Sequence, residues 1–197
     1  MATEGTSRDA FLVEMYKAMW DNINRHIGVV WHSVTVLAGA FAVFGLVEKG
    51  VAPIDYATAL VVIISVWQLA HVFDASYWVN RNLLIIRNIE CQFLNRDDLQ
   101  KVHYYFLQQR ASKMIEHFRI QLALGIVVAI LTLIYHGQKQ GLPAHFATLT
   151  EAAKALPYVA FVVGAIFALA IRDVHNKSYA NLREKSPGPT IASDSEA

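Results

Sequence analysis

Residues 27–47 read IGVVWHSVTVLAGAFAVFGLV, 21 positions without a charged side chain. At about 1.5 Å of rise per residue, a helix of that length covers the roughly 30 Å of a bilayer's hydrocarbon. Three more apolar runs follow, over residues 57–73, 120–135 and 157–171. The last, taken from about 155, can borrow residues 152–156 if Lys154 turns its charged end outward along its aliphatic stem. The last two runs are short, and each alone would pass for a core helix of a soluble protein. Four together in 197 residues would not, because a globule of that size has no interior for so much apolar helix. Composition agrees: only 17% of the chain is charged, against about 25% for an average soluble domain. The expected fold is all-α, an integral membrane up-down-up-down four-helix bundle whose long helices extend into the cytoplasm.

Lysine and arginine set the orientation. Three precede the first span, one lies between the first two spans, seven in residues 74–119, two between the last two spans, and four after the fourth. Fourteen therefore fall on one side and three on the other, and the positive-inside rule places the fourteen in the cytoplasm with both termini. Tyr56, Tyr135 and Tyr158 stand at the outer boundary, Tyr77 and Trp78 at the inner one, as an aromatic belt requires. The first 22 residues carry four acids and two bases, without the basic start or small-residue cleavage site of a secretory signal, so the first apolar run is expected to stay as an anchor. A bacterial inner membrane is the expected location.

Neither glycine nor proline occurs between Pro53 and Gly125. The one punctuation is Asn95-Arg96-Asp97-Asp98, where Asp97 and Gln100 have capping-box form. The spacing predicts two continuous helices, residues 54–94 and 98–135, forming a cytoplasmic hairpin over 74–119. The first helix is expected from Ser7 to Val47, with Leu12, Met15, Met19, Ile23 and Ile27 as a stripe that needs a partner. Leu83-Leu84-Ile85-Ile86 on the hairpin is apolar all round, which implies burial from more than one side. One four-span domain over 1–185 would end at Ser186-Pro187-Gly188-Pro189, leaving 186–197 as a disordered tail.

Ionisable and polar residues gather at the inner boundary: Arg25, His26 and His32 around span one; Gln68, His71 and Asp74 at steps of three in span two; Glu116, His117 and Arg119 before span three; Arg172, Asp173 and His175 after span four. Groups so close to hydrocarbon need partners or water, and they mark a functional site by default. The plainer reading is a layer of mutual salt bridges, Asp74 with Arg119 or Arg25. His32 and His71 are the two histidines within the spans; facing each other in a bundle they could hold haem or a metal, although no metal-ligand spacing supports it. Hydrogen bonds across helices are the plainer role, and no cofactor is expected. Cys91 stands alone, which excludes an internal disulfide and a cysteine metal centre. Arg110 and His117 stand at the R-x6-H spacing of HEPN-type ribonucleases, a weak match on a helical chain.

Gly28, His32, Thr35, Gly39 and Ala42 recur at alternating steps of four and three. Such a seam lets membrane helices approach closely, either within one subunit or between copies, where it could also line a pore. With no hydrolase triad, phosphate loop or deaminase motif, the expected function is non-enzymatic: a homo-oligomeric pore-forming or signal-receiving membrane effector with a soluble cytoplasmic partner and no nucleic acid. Fold-level analogy with small four-span effectors of bacterial defence and toxin systems points the same way. The alternatives are a membrane scaffold, or a haem-, metal- or proton-handling protein built on His32 and His71.

Overall fold

A computed structural model describes residues 3–101, 114–143 and 148–186. Among them there is no strand. Six helices follow in order: α1 Thr3–Ala40, α2 Ala42–Glu48, α3 Ile54–Phe93, α4 Arg96–Lys101, α5 Glu116–Gln140 and α6 Leu149–Lys185. Four helical stretches are long and apolar enough to cross a membrane, α1 together with α2, then α3, α5 and α6.

The ends follow from local chemistry. After α1 a turn at Phe41, with Phe41 N–H on the Ala38 carbonyl and Phe44 N–H on that of Phe41, opens α2, so the expected single helix is interrupted. Past α2 the chain closes in a Schellman motif: Gly50 N–H reaches the Val47 carbonyl and Val51 N–H that of Leu46, both at 2.9 Å. Gly50 takes φ +70°, which a side chain there would resist. Pro53 then precedes α3, whose limits lie within one residue of the expected 54–94.

The turn after α3 is capped differently from expectation. Asn95 and Asp98 form the reciprocal pair: Asn95 N–H donates to Asp98 Oδ2 at 2.9 Å and Asp98 N–H to Asn95 Oδ1 at 3.1 Å. Asp97 and Gln100 do not form it. The helix expected through 98–135 is also broken, since Ile115 is extended (φ −63°, ψ 152°) and α5 starts at Glu116. α6 begins well before Pro157, with Thr148 Oγ1 accepting from Glu151 N–H at 3.3 Å. Pro157 sits buried inside it, where its missing N–H frees the Ala153 carbonyl. The expected disordered tail lies outside the described residues beyond Ser186.

The chain divides into two compact units. The first holds the described parts of Met1–Ile27, Tyr77–Lys113 and Asn176–Ala197. In it the α1 stripe from Leu12 to Ile27 is the covered face, with Ile23 buried, and Leu84 and Ile86 are buried on α3. Tyr16 donates to Glu90 at 3.3 Å, and the His26 ring stacks on Trp78 at 5.9 Å while Arg81 lies 4.9 Å from the same indole. Burial, then the Glu90 carboxylate beside it, push the Tyr16 phenol above its usual range despite its contact with Trp20.

The second unit holds Gly28–Ser76 and the described parts of Met114–His175. Its centre is α3: 61% of its apolar window is buried, against 17–28% for the other three. α5 lies antiparallel to it, Gln121 meeting Gln68, Gly125 meeting Ser65 and Leu69, and His136 meeting Asp55. α6 runs parallel to it, from Gly164 against Val66 to His175 beside Asp74. Two glycines set these approaches: a methyl on Gly125 would lie 2.9 Å from Leu69 Cδ2, and one on Gly164 only 2.7 Å from Val66 Cγ1. Val62, Val66, Leu69, Ala70 and Ala168 form the core between them. α1 and α2 contact α5 through Trp31–His117 and Phe44–Tyr135.

Candidate functional site

The most deeply buried ionisable contact joins three helices of the second unit. His136, on the last turns of α5, has no exposed surface. Its Nε2 lies 2.8 Å from Asp55 Oδ1, in the first turn of α3, and its Nδ1 lies 3.3 Å from Tyr158 Oη on α6. Gly137 makes room for the phenol, since a methyl there would stand 3.1 Å from Tyr158 Oη. The network fixes the tautomer. When Asp55 is ionised and the imidazole neutral, Nε2–H donates to the carboxylate and Nδ1 accepts the Tyr158 hydroxyl. When the imidazole is protonated, Nδ1–H donates to Tyr158 Oη instead, and the phenol hydrogen must turn away. The cluster thus accommodates two protonation states with the same heavy atoms.

Further along α3, Thr58 and Ser65 are completely buried. Ser65 Oγ donates to the Val61 carbonyl at 2.8 Å, whereas Thr58 Oγ1 has no hydrogen-bond partner. Gln68, also fully buried, donates from Nε2 to Gln121 Oε1 at 3.1 Å and to the Gln121 carbonyl at 3.3 Å, leaving its own Oε1 unpartnered. On α5 the buried face carries Gln121, Thr132 and His136. Asp74 closes the series, 3.6 Å from His175 Nε2.

In the inner polar belt the pairing of Asp74 differs from the one expected from charge alone. Asp74 pairs with His175, not with Arg119. Arg119 turns to Glu116 one turn back at 2.8 Å, and both are exposed. Arg172 places its guanidinium 5.8 Å from the Phe73 ring, and Asp173 is exposed. His32 and His71 are not brought together: His32 is exposed and donates from Nδ1 to the Gly28 carbonyl at 2.8 Å, while His71 is half-buried against Trp67. No group of three histidine, cysteine or carboxylate side chains among the described residues could hold a metal. His117 is exposed against Trp31, and Arg110, the other half of the R-x6-H pair, lies outside the described residues.

The α1 seam faces away from its own chain. Over residues 28–42 the buried positions are Val30, Ser33, Leu37 and Ala40, whereas His32, Thr35, Gly39 and Ala42 (the first residue of α2) are exposed and Gly28 is half-buried. A methyl added to Gly28 or Gly39 would meet nothing within 4 Å. Packing within one subunit does not use these glycines.

His136, Asp55 and Thr58 escape a sequence reading, and Tyr158 enters it only as a belt residue, because they sit at or beside span ends, where loop and helix are hard to separate. One signal was present: a lone acid and a lone histidine border spans two and three at the same expected face. Comparison of the chain with family models, curated proteins and solved structures finds no match.

Proposed function

We infer that this is a homo-oligomeric, multi-pass membrane protein that forms or regulates a pore and takes a signal from a soluble partner on its cytoplasmic helices. The membrane setting rests on what the helices leave uncovered. Val162, Val163, Ile166, Phe167 and Leu169 on α6, and Ile126, Val127, Ile130, Leu131 and Ile134 on α5, are all exposed. So broad an apolar surface suits lipid and would drive association in water. The 14-to-3 division of basic residues favours both termini inside, and a bacterial inner membrane is the location proposed.

The single observation that carries the oligomer is the outward seam of α1. Small and polar residues are wasted on lipid, which offers neither close packing nor hydrogen bonds, but they suit a second copy of the same helix. Copies meeting along Gly28, His32, Thr35, Gly39 and Ala42 would set polar groups around a shared axis, with Val36 and Val43 narrowing it. Planar-bilayer recording of the reconstituted chain tests this. Discrete ionic currents, abolished by Gly39→Leu, are the expected result; silent bilayers with and without cytoplasmic extract would contradict it.

A further inference from the structure

A pore between subunits has no use for the polar groups buried inside each one, and these form a series with a chemistry of its own. Asp55 and Asp74 stand on the same helix, α3, 19 residues apart, or about 28 Å. That is close to the roughly 30 Å of bilayer hydrocarbon. Each carboxylate is set against a histidine of another helix, His136 on α5 and His175 on α6. Between them lie Thr58, Ser65 and Gln68 on α3, and Gln121 and Thr132 on α5, all buried. Two of the intervening oxygens, Thr58 Oγ1 and Gln68 Oε1, have no partner in the described structure. A buried acceptor without a partner costs stability, and it is also where a water molecule can bind inside a helix bundle.

We propose that each chain carries a proton path along the α3–α5 interface, from the Asp74–His175 pair to the Asp55–His136–Tyr158 cluster. This rests on the membrane setting inferred above, and not on the oligomer or its pore. A carboxylate–imidazole pair at each end takes up and gives off a proton without any cofactor, the role such chains fill in membrane pumps and transporters. At one end hydronium protonates the Asp74–His175 pair and leaves as water. Transfer proceeds through water held by Gln68 Oε1 and Thr58 Oγ1 to His136, where Nδ1–H turns to Tyr158, and Nε2–H holds to Asp55. Release runs through Tyr158: Nδ1 passes its proton to Oη as the phenol hydrogen leaves to water, which restores the neutral ring with Nε2–H still on Asp55, so one proton and one positive charge cross and nothing is oxidised or reduced.

The helices that carry the two ends hold other charged groups with contacts of their own. By the cluster, Lys154 is held by Glu151 at 2.8 Å, and the Lys139 ammonium lies 6.0 Å from the Tyr135 ring. By the Asp74–His175 pair, Arg119 is held by Glu116, Arg172 lies over Phe73, His71 packs on Trp67, and Asp173 has its own interaction.

The test uses the full chain in liposomes with an entrapped pH dye, a potassium gradient and valinomycin to carry the balancing charge. The wild type should acidify or alkalinise the lumen faster than protein-free vesicles. Gly39→Leu should keep that flux while losing ionic currents, which separates this path from the pore between copies. His136→Gln and Asp55→Asn should fall to the protein-free rate. If either fails to fold, Thr58→Val decides, because it conserves volume at a hydroxyl with no protein partner: it should fold and lose flux. Wild-type vesicles no faster than empty ones, or a folded Thr58→Val with full flux, would overturn the proposal.

Discussion

His136 Nε2 lies 2.8 Å from Asp55 Oδ1 across 81 residues of chain, with the imidazole wholly enclosed. Removing one partner strands the other in an apolar surround. His136→Leu or Asp55→Leu should each cost about 3–5 kcal/mol, while the double replacement should recover much of it. Unfolding of the four proteins in mixed micelles, read as a double-mutant cycle, measures the coupling.

Gly164 and Gly125 should differ when each becomes alanine. At Gly164 the new methyl meets the branched, stiff Val66 side chain at 2.7 Å, and at Gly125 it meets the mobile tip of Leu69 at 2.9 Å. Gly164→Ala should destabilise by about 1–3 kcal/mol and Gly125→Ala by less. Val66→Ala should relieve the first but not the second, as thermal unfolding in detergent will show.

Gln68 and Gln121, both buried side chains, share a hydrogen bond at 3.1 Å. Membrane-embedded bonds of this kind contribute about 0.6–2 kcal/mol. Gln68→Leu should therefore change stability modestly, and a cycle with Gln121→Leu should return a coupling of that size.

The cap of α4 offers a local check on the revised turn. Asp98→Ala or Asn95→Ala should cost about 1 kcal/mol. Asp97→Ala should cost little, since its carboxylate is not in the reciprocal pair. Amide exchange over Arg96–Lys101 reads the difference directly.

How much of this was legible depended on whether the signal was local. α3 was readable almost to the residue because Pro53 opens it, Asn95 stops it, and no glycine or proline intervenes. The interruption at Phe41 and the extended Ile115 were not, for no proline marks either place. The polar belt was visible as a layer, but its pairings were not. Charge and depth make Arg119 as good a partner for Asp74 as His175, and only the rotation of each helix decides. Gln121 was hidden by its place at the mouth of span three, and His136 by a span that seemed to finish at Tyr135. The seam of α1 was legible as a pattern, while its outward direction needed the burial of Val30, Leu37 and Ala40 to reveal it.

The central claim is that copies of this chain meet along the exposed face of α1. Cysteine cross-linking in bilayers tests it most directly, in a Cys91→Ser background, because a disulfide forms only when two Cα atoms come within about 7 Å. Thr35→Cys, Gly39→Cys and Ala42→Cys should each give a covalent dimer on mild oxidation, while the buried Val30→Cys and Leu37→Cys should not. A chain that stays monomeric at every seam position, or cross-links equally at seam and buried positions, would contradict the account.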